Sequence, residues 1–182
     1  MGEIFPPAPA LLIVAAFSRH AAALDWARQR AAAVWGAIAL ASPTFDFRET
    51  DYYEPTMGSQ IKKCFWAFEQ LMDPESLAQR KLLSNQWEAE YATLARHEEL
   101  RPLNLDPGYI TAAKLVLAST KDHAHRIYLS HGIFAEVTLF YKDRAWHPRD
   151  WTFPDYRRSD YLQFFTDCRK YLRTHERRDK AL

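Results

Sequence analysis

"AIALASPTFDF" (37–47) and "IKKCFWAFEQLM" (61–72) are two strand-like runs separated by the polar insertion "RETDYYEPTMGS", with no helical pattern between them. Strands that follow one another without a crossover helix pair antiparallel, which disfavours the alternative of a doubly wound parallel sheet. Upstream, "ALLIVAAFS" (10–18) is a continuous apolar run of the kind found in a central strand. From His20 onward Leu24, Ala27, Ala31, Val34 and Trp35 recur at helical spacing, and Gly36 follows as a stop. Downstream, Asp73 is placed to cap a helix with Pro74 at its first position and Glu75 at the positive end of its dipole. Leu83, Trp87, Tyr91 and Leu94 form one stripe of that helix, and Lys81, Asn85 and Glu88 fall on the opposite side. "RPLNLD" (101–106) supplies a further strand. Residues 10–106 therefore read β-α-β-β-α-β, the order of a ferredoxin-like α+β sandwich with two helices on one face of an antiparallel sheet.

In "DPGY" (106–109), Pro107 and Gly108 fit the central positions of a type II turn. "ITAAKLVLAS" reads as either strand or helix, and "RIYLSHGIFAEVTLFY" as a hairpin. "SDYLQFFTDCRKYL" closes as a helix with Tyr161, Phe164, Phe165, Cys168 and Leu172 on one face. The expectation is a single domain over 1–182: a core at 10–106, a hairpin and helix extension at 107–175, and a flexible charged tail at 176–182.

Of the 182 residues, 48% are hydrophobic and 14% aromatic, which excludes a disordered chain. A net charge of +1 gives the molecule no general attraction for nucleic acid or an anionic membrane, so any ligand must be recognised locally. The basic stretch from Arg169 to Lys180 is ordinary compensation at a helix C-terminus as readily as an RNA contact. Cys64 and Cys168 lie far apart and outside any C-x-x-C spacing, so two buried free thiols are expected. "PALLIVAAF" is too short to span a membrane, and Glu3 stands where a signal peptide would carry basic residues. A soluble cytoplasmic protein is expected. Phosphate loops, G-x-G-x-x-G, G-x-S-x-G and H-E-x-x-H are all missing, and five glycines leave little backbone for a phosphate cradle.

Chemistry-bearing residues concentrate in "ASTKDHAHRIYL" (118–129). With a three-residue "SHG" hairpin loop, Arg126 falls opposite Glu136 and the two form an ion pair; with a two-residue "HG" loop, His125 approaches Glu136 and Thr138 instead. The second register would offer a base and its orienting carboxylate. His123 and His125 share a strand face, but no other His or Cys cluster has ligand spacing, so no metal site is expected. Lys114, Lys121 and Arg126, with Asp106, Asp122 and Glu136, make the mixture of cations and carboxylates that holds phosphate oxygens directly or through magnesium. Surface salt bridges need the same mixture. Tyr52 and Tyr53 belong to an insertion that either covers the sheet edge or closes over a ligand.

"TDYYEPTMG", "KLLSNQWE", "NLDPGYIT", "KLVLASTKDHAHRIYL", "GIFAEVTLFY" and "WTFPDYR" occur in that order, and together they resemble a bacterial family known as domain of unknown function 4416, over about Pro9 to Leu172. Some members carry the label GTP-binding. "TKD" (120–122) is a broken form of the [NT]-K-x-D guanine-reading motif, and without a phosphate loop the P-loop GTPase machinery is excluded. The family pattern falls on Asp51 to Glu54, Met57 and Gly58, on Lys81, Asn85 and Glu88, and on Asn104 and Asp106 to Tyr109. It continues at Lys114, Lys121, Asp122, His125, Arg126, Glu136, Asp155 and Tyr156, with His123 standing where the family has an aromatic. The expected function is binding of a small anionic, phosphate-bearing ligand such as a nucleotide. Lys121, His125 and Arg126 would contact the anion, Lys114 would support them, and Asp106, Glu136 and Asp122 would orient the cations or hold magnesium. His125 with Glu136 is the candidate acid or base of any turnover. The alternative is a non-catalytic module whose "DYYEPTMG" loop and aromatic surface dock a partner chain or a second copy.

Overall fold

The computed structural model describes residues 2–179, with side chains through residue 175. Strand β1 (Ala10–Ser18) is followed by helix α1 (Ala21–Trp35), strands β2 (Ile38–Ala41) and β3 (Phe45–Asp46), and the short helix α2 (Glu54–Met57). Then come β4 (Lys62–Met72), a 3-10 turn (Pro74–Ser76), α3 (Leu77–Ala95), β5 (Asn104–Ile110), β6 (Lys114–Ser119), β7 (Ile127–Ser130), β8 (Ile133–Lys142) and β9 (Ala145–Pro148). A second 3-10 turn (Pro154–Arg157) leads into α4 (Ser159–Asp179). The chain is α+β: the nine strands among the described residues form one antiparallel sheet in the order β2-β4-β1-β5-β6-β8-β7, with β3 also on β4 and β9 also on β8. No helix among the described residues is long and apolar enough to cross a membrane.

Both faces of the sheet are covered, which explains why β1 reads as an unbroken apolar run rather than an alternating one. Leu12, Val14 and Ala16 pack towards α1 and α3 with Trp35, Trp87 and Tyr91. Leu11, Ile13, Ala15 and Phe17 pack on the other side with Phe65, Tyr161, Phe165 and Cys168, beneath α4. The stripe expected on α4 is buried at all five positions. On α3 the burial is rotated from the expected stripe: Trp87 and Tyr91 are buried, but Leu94 is 62% exposed and Lys81 only 5%. The two cysteines lie in cores on opposite faces, and burial pushes the Cys64 thiol up to about 12. Helix α4 runs through Asp179, so the expected tail is helical up to that residue, and 180–182 lie outside the described residues.

The turn expected at 106–109 is corrected. Pro107 and Gly108 form no turn: they lie inside β5, opposite Val14 and Ile13 of β1, because a full strand of partners on β1 outweighs local turn chemistry. The proposed boundary at 106/107 therefore cuts through a strand. "RAWHP" contributes β9, which pairs Leu139 to Lys142. The hairpin has features of both registers considered. Its tip is His131-Gly132, both at positive φ (52° and 75°), as a two-residue turn requires. An irregularity between Tyr128 and Ser130 then shifts the ladder so that Ile127 pairs Ala135, and this brings Arg126 opposite Glu136.

Strands β5 and β6 pair only where Gly108 to Ile110 meet Leu115 to Leu117. Pro107 has no N–H to extend that ladder, and beyond it the two strands splay. Gly108 marks the last close approach, since a side chain there would meet the Val116 carbonyl oxygen and come within 2.7 Å of Leu117 Cδ2. Gly108→Ala is expected to destabilise the fold by about 1–3 kcal/mol through overpacking, read as a lower urea midpoint with an unchanged m-value.

Candidate functional site

The gap between β5 and β6 opens into a cavity of about 660 Å³, within the range that holds a small molecule. Because the gap passes through the sheet, its lining comes from both faces. Lys81, Asn85 and Glu88 reach it from α3, and Lys63, Asp155 and Tyr156 from the α4 side. The side of α3 read as polar in sequence is thus turned inward. Phe17, Phe47, Tyr53 and Phe153 give the cavity aromatic walls, and Tyr52, Lys121 and Arg126 also line it.

Its interior is a set of satisfied ion pairs. Lys63, which shares the inward face of β4 with Phe65 and Ala67, donates to Asp155 Oδ2 at 2.6 Å; both side chains are nearly sealed from solvent. The ammonium also lies 4.4 Å from the centre of the Phe17 ring and 4.3 Å from that of Tyr156, so it is caged as well as paired. Lys81 donates to the Leu105 carbonyl at 2.8 Å and to Asp106 Oδ1 at 2.9 Å, with Glu88 Oε1 at 3.9 Å. Asn104 donates to the other Asp106 oxygen at 3.0 Å and accepts from Arg101, while the Leu105 N–H donates to Glu88 at 2.8 Å.

Two carboxyls sharing one ammonium are driven apart. Burial pushes Glu88 up, against the opposing charge of Lys81. Burial acts on Asp106 in the same direction, but the charge and hydrogen bond of Lys81 outweigh it and hold Asp106 below the usual carboxylate range. The two carboxyls are thus shifted in opposite directions around one shared ammonium, the kind of arrangement from which acid and base roles are drawn. Burial raises the hydroxyls of Tyr53 and Tyr156 as well, so both line the cavity as neutral donors.

Of the residues singled out from sequence, Asp106, Glu136, Lys121, Arg126, Tyr52 and Tyr53 line this one cavity. Arg126 donates through Nε to Glu136 Oε2 at 2.9 Å and through Nη1 to Ser119 Oγ at 2.8 Å and the Lys121 carbonyl at 2.9 Å. Thr138 donates to the second Glu136 oxygen at 3.0 Å. His125 approaches the same carboxylate at 3.3 Å, but its ring is stacked against Trp151 and lies outside the cavity lining. Lys114 is not brought in: it is exposed at the far end of β6 from Ser119, a rise of about 17 Å. Asp122 is exposed and outside the lining.

Lys63 escaped the sequence reading, although a lysine at an inward position of an aromatic strand was a signal. Its partner Asp155 falls on the family pattern, but no spacing in the sequence pairs it with Lys63.

The family model described as a domain of unknown function (DUF4416) matches residues 8–171. The chain belongs to this family. No curated protein and no solved structure matches it. The DUF4416 match spans β1 through most of α4, so the whole cavity lies within the family domain.

Two results are expected at this site. Lys63→Ala should cost about 3–5 kcal/mol in chemical denaturation, because it strands the Asp155 charge, and Lys63→Met combined with Asp155→Leu should recover most of that loss. Glu88, raised above its ordinary 4.5, binds its proton more readily in the folded state, so its contribution to stability falls as pH rises above about 4.5. The stability difference between the native chain and Glu88→Gln, followed against pH, should therefore shift in favour of the variant as pH rises.

Proposed function

We propose that the cavity binds a small ligand with a flat ring and an anionic, phosphate-type group, of the nucleotide class. One observation carries this reading. Five cations line the cavity, and among the described residues Lys121 is the one with no carboxylate at ion-pair distance. Lys63, Lys81, Arg101 and Arg126 are each neutralised by a buried or half-buried acid, so a new anion gains least from them. Lys121 instead donates to the Tyr52 hydroxyl, and this lowers the tyrosine's pKa below its ordinary value. Both side chains are exposed and can turn towards an incoming anion. The aromatic walls suit a planar ring. Asp106 and Glu136 are held by Lys81 and Arg126, so they orient cations, and magnesium would enter with the ligand's own phosphates.

We also infer that Ala10–Ile110 is a ferredoxin-like unit, which the order β2-β4-β1-β5 and the shared face of α1 and α3 support. Two free thiols on opposite faces favour a cytoplasmic setting. A second reading, self-association, is favoured by β7. It is the last strand on its side of the sheet, and Ile127 and Tyr128 are 72% and 59% exposed on it.

A thermal-shift panel of GTP, ATP, GDP, cyclic and sugar nucleotides, with and without magnesium, tests the reading. A ligand at a hundred times its Kd stabilises by about 2.7 kcal/mol, enough to raise Tm by several degrees. Lys121→Ala should abolish the shift and leave the Tm of the free protein unchanged. Arg126→Ala is a poorer probe, since it leaves Glu136 buried and unpaired. A flat panel, or a shift that survives Lys121→Ala, would overturn the proposal; a flat panel with concentration-dependent dimers in sedimentation would favour self-association.

A further inference from the structure

The end of β1 and the start of β5 are neighbours, with Phe17 opposite Asn104, so the loops beside them meet. One loop carries Arg19 and His20, and the other carries His97 and Glu99 after α3. His20 Nε2 lies 3.0 Å from Glu99 Oε2, and the His20 and His97 rings are stacked with centroids 3.7 Å apart. One ligand atom from each of His20, His97 and Glu99 lies within 4.8 Å of the other two, and none of the three residues is fully exposed.

We propose that His20, His97 and Glu99 form a binding site for a divalent transition-metal ion of the zinc class. Two imidazoles and a carboxylate make a three-ligand donor set that leaves a fourth position open. Metal–ligand bonds of about 2.0–2.1 Å require ligand atoms about 3.4 Å apart in a tetrahedron, and the His20–Glu99 distance is already near that value. A ligand atom of His97 lies within 4.8 Å of those of His20 and Glu99, so a small shift of the ring completes the set.

Outer partners are in place for two of the three ligands. The Tyr91 hydroxyl lies 3.2 Å from His97 Nε2, which leaves Nδ1 for the ion. Arg19 Nη1 donates to Glu99 Oε1 at 2.8 Å, which leaves Oε2 on the His20 side. A His20–Glu99 ion pair alone accounts for one imidazole. It does not involve the second ring, which is stacked on the first with centroids 3.7 Å apart and brings a second nitrogen ligand within reach of the same point. The site goes beyond the ligand reading but bears on the same cavity. Arg101, which lines the cavity, lies two residues from Glu99, and its backbone N–H donates to the Thr56 carbonyl of α2 at 2.9 Å. An ion held here would brace the loop that sets Arg101 and the turn that carries Tyr52 and Tyr53.

The test is titration of the chelator-treated full chain with Zn²⁺ by calorimetry and with Co²⁺ by visible absorption. The expected result is one ion per chain with a cobalt ligand-field band. Affinity should fall at least tenfold in His97→Gln and in Glu99→Gln, and stay unchanged in His123→Ala. A measurement independent of variant folding is the imidazole ¹⁵N spectrum of the native chain, in which Zn²⁺ should move the His20 and His97 resonances and leave those of His123 and His125 in place. No binding at millimolar Zn²⁺, full affinity in folded His97→Gln, or shifts confined to His123 and His125 would each overturn the proposal.

Discussion

The missing N–H of Pro107 is the constraint on which the site depends. A β-ladder that continued along the whole of β5 and β6 would close the sheet and leave no passage between its faces. The ladder stops at Gly108, yet β5 remains paired to β1 as far as Asn104, so the sheet opens on one side of a strand that is firmly held on the other. Much of the charged floor of the cavity is therefore carried by the regular elements β4, α3 and β5, while loops supply Phe47, Tyr53 and Phe153 of its walls. Rigid placement of this kind reduces the ordering a ligand would have to impose.

Electrostatics then decides which of the many charges are available. Lys63 with Asp155, Lys81 with Asp106, and Arg126 with Glu136 combine short distances with burial, and each would be costly to separate. These pairs give the polar interior one fixed geometry. Availability for a ligand rises towards the mouth, where the side chains of Lys121 and Tyr52 are exposed and hydrogen-bonded to each other rather than to a buried acid. Burial sorts the same residue types into scaffold and contact, which their identities alone do not do.

That sorting explains what was legible in the sequence. Elements with one dominant local signal read correctly: the apolar run of β1, Asp73 and Pro74 before α3, and the five-residue stripe of α4. The reading failed where a distant partner overrode a local signal. Pro107-Gly108 has turn chemistry, but β1 supplies a full set of strand partners. Lys81, Asn85 and Glu88 have the spacing of a solvated helix face, and only the splayed strands beneath make that face interior. Lys114 seemed near Lys121 because seven residues of sequence look short, whereas an extended strand turns most of that interval into distance. His20 and Glu99 stand 79 residues apart, beyond the reach of any spacing rule.

Five glycines and no phosphate loop mean that recognition in this chain falls to side chains rather than to backbone amides. Side chains hold a geometry only when each is itself held, and the structure meets that requirement in layers. Asn104 fixes Asp106, Asp106 fixes Lys81, and Arg101 ties Asn104 to Glu88. Arg101 in turn sits on the loop that joins α3 to β5, the loop that also carries His97 and Glu99. The polar interior and the histidine cluster thus share one short segment between two rigid elements, and any force that settles that segment is felt in both places. The backbone bond from Arg101 to Thr56 extends the same link to α2, next to the turn that carries Tyr52 and Tyr53.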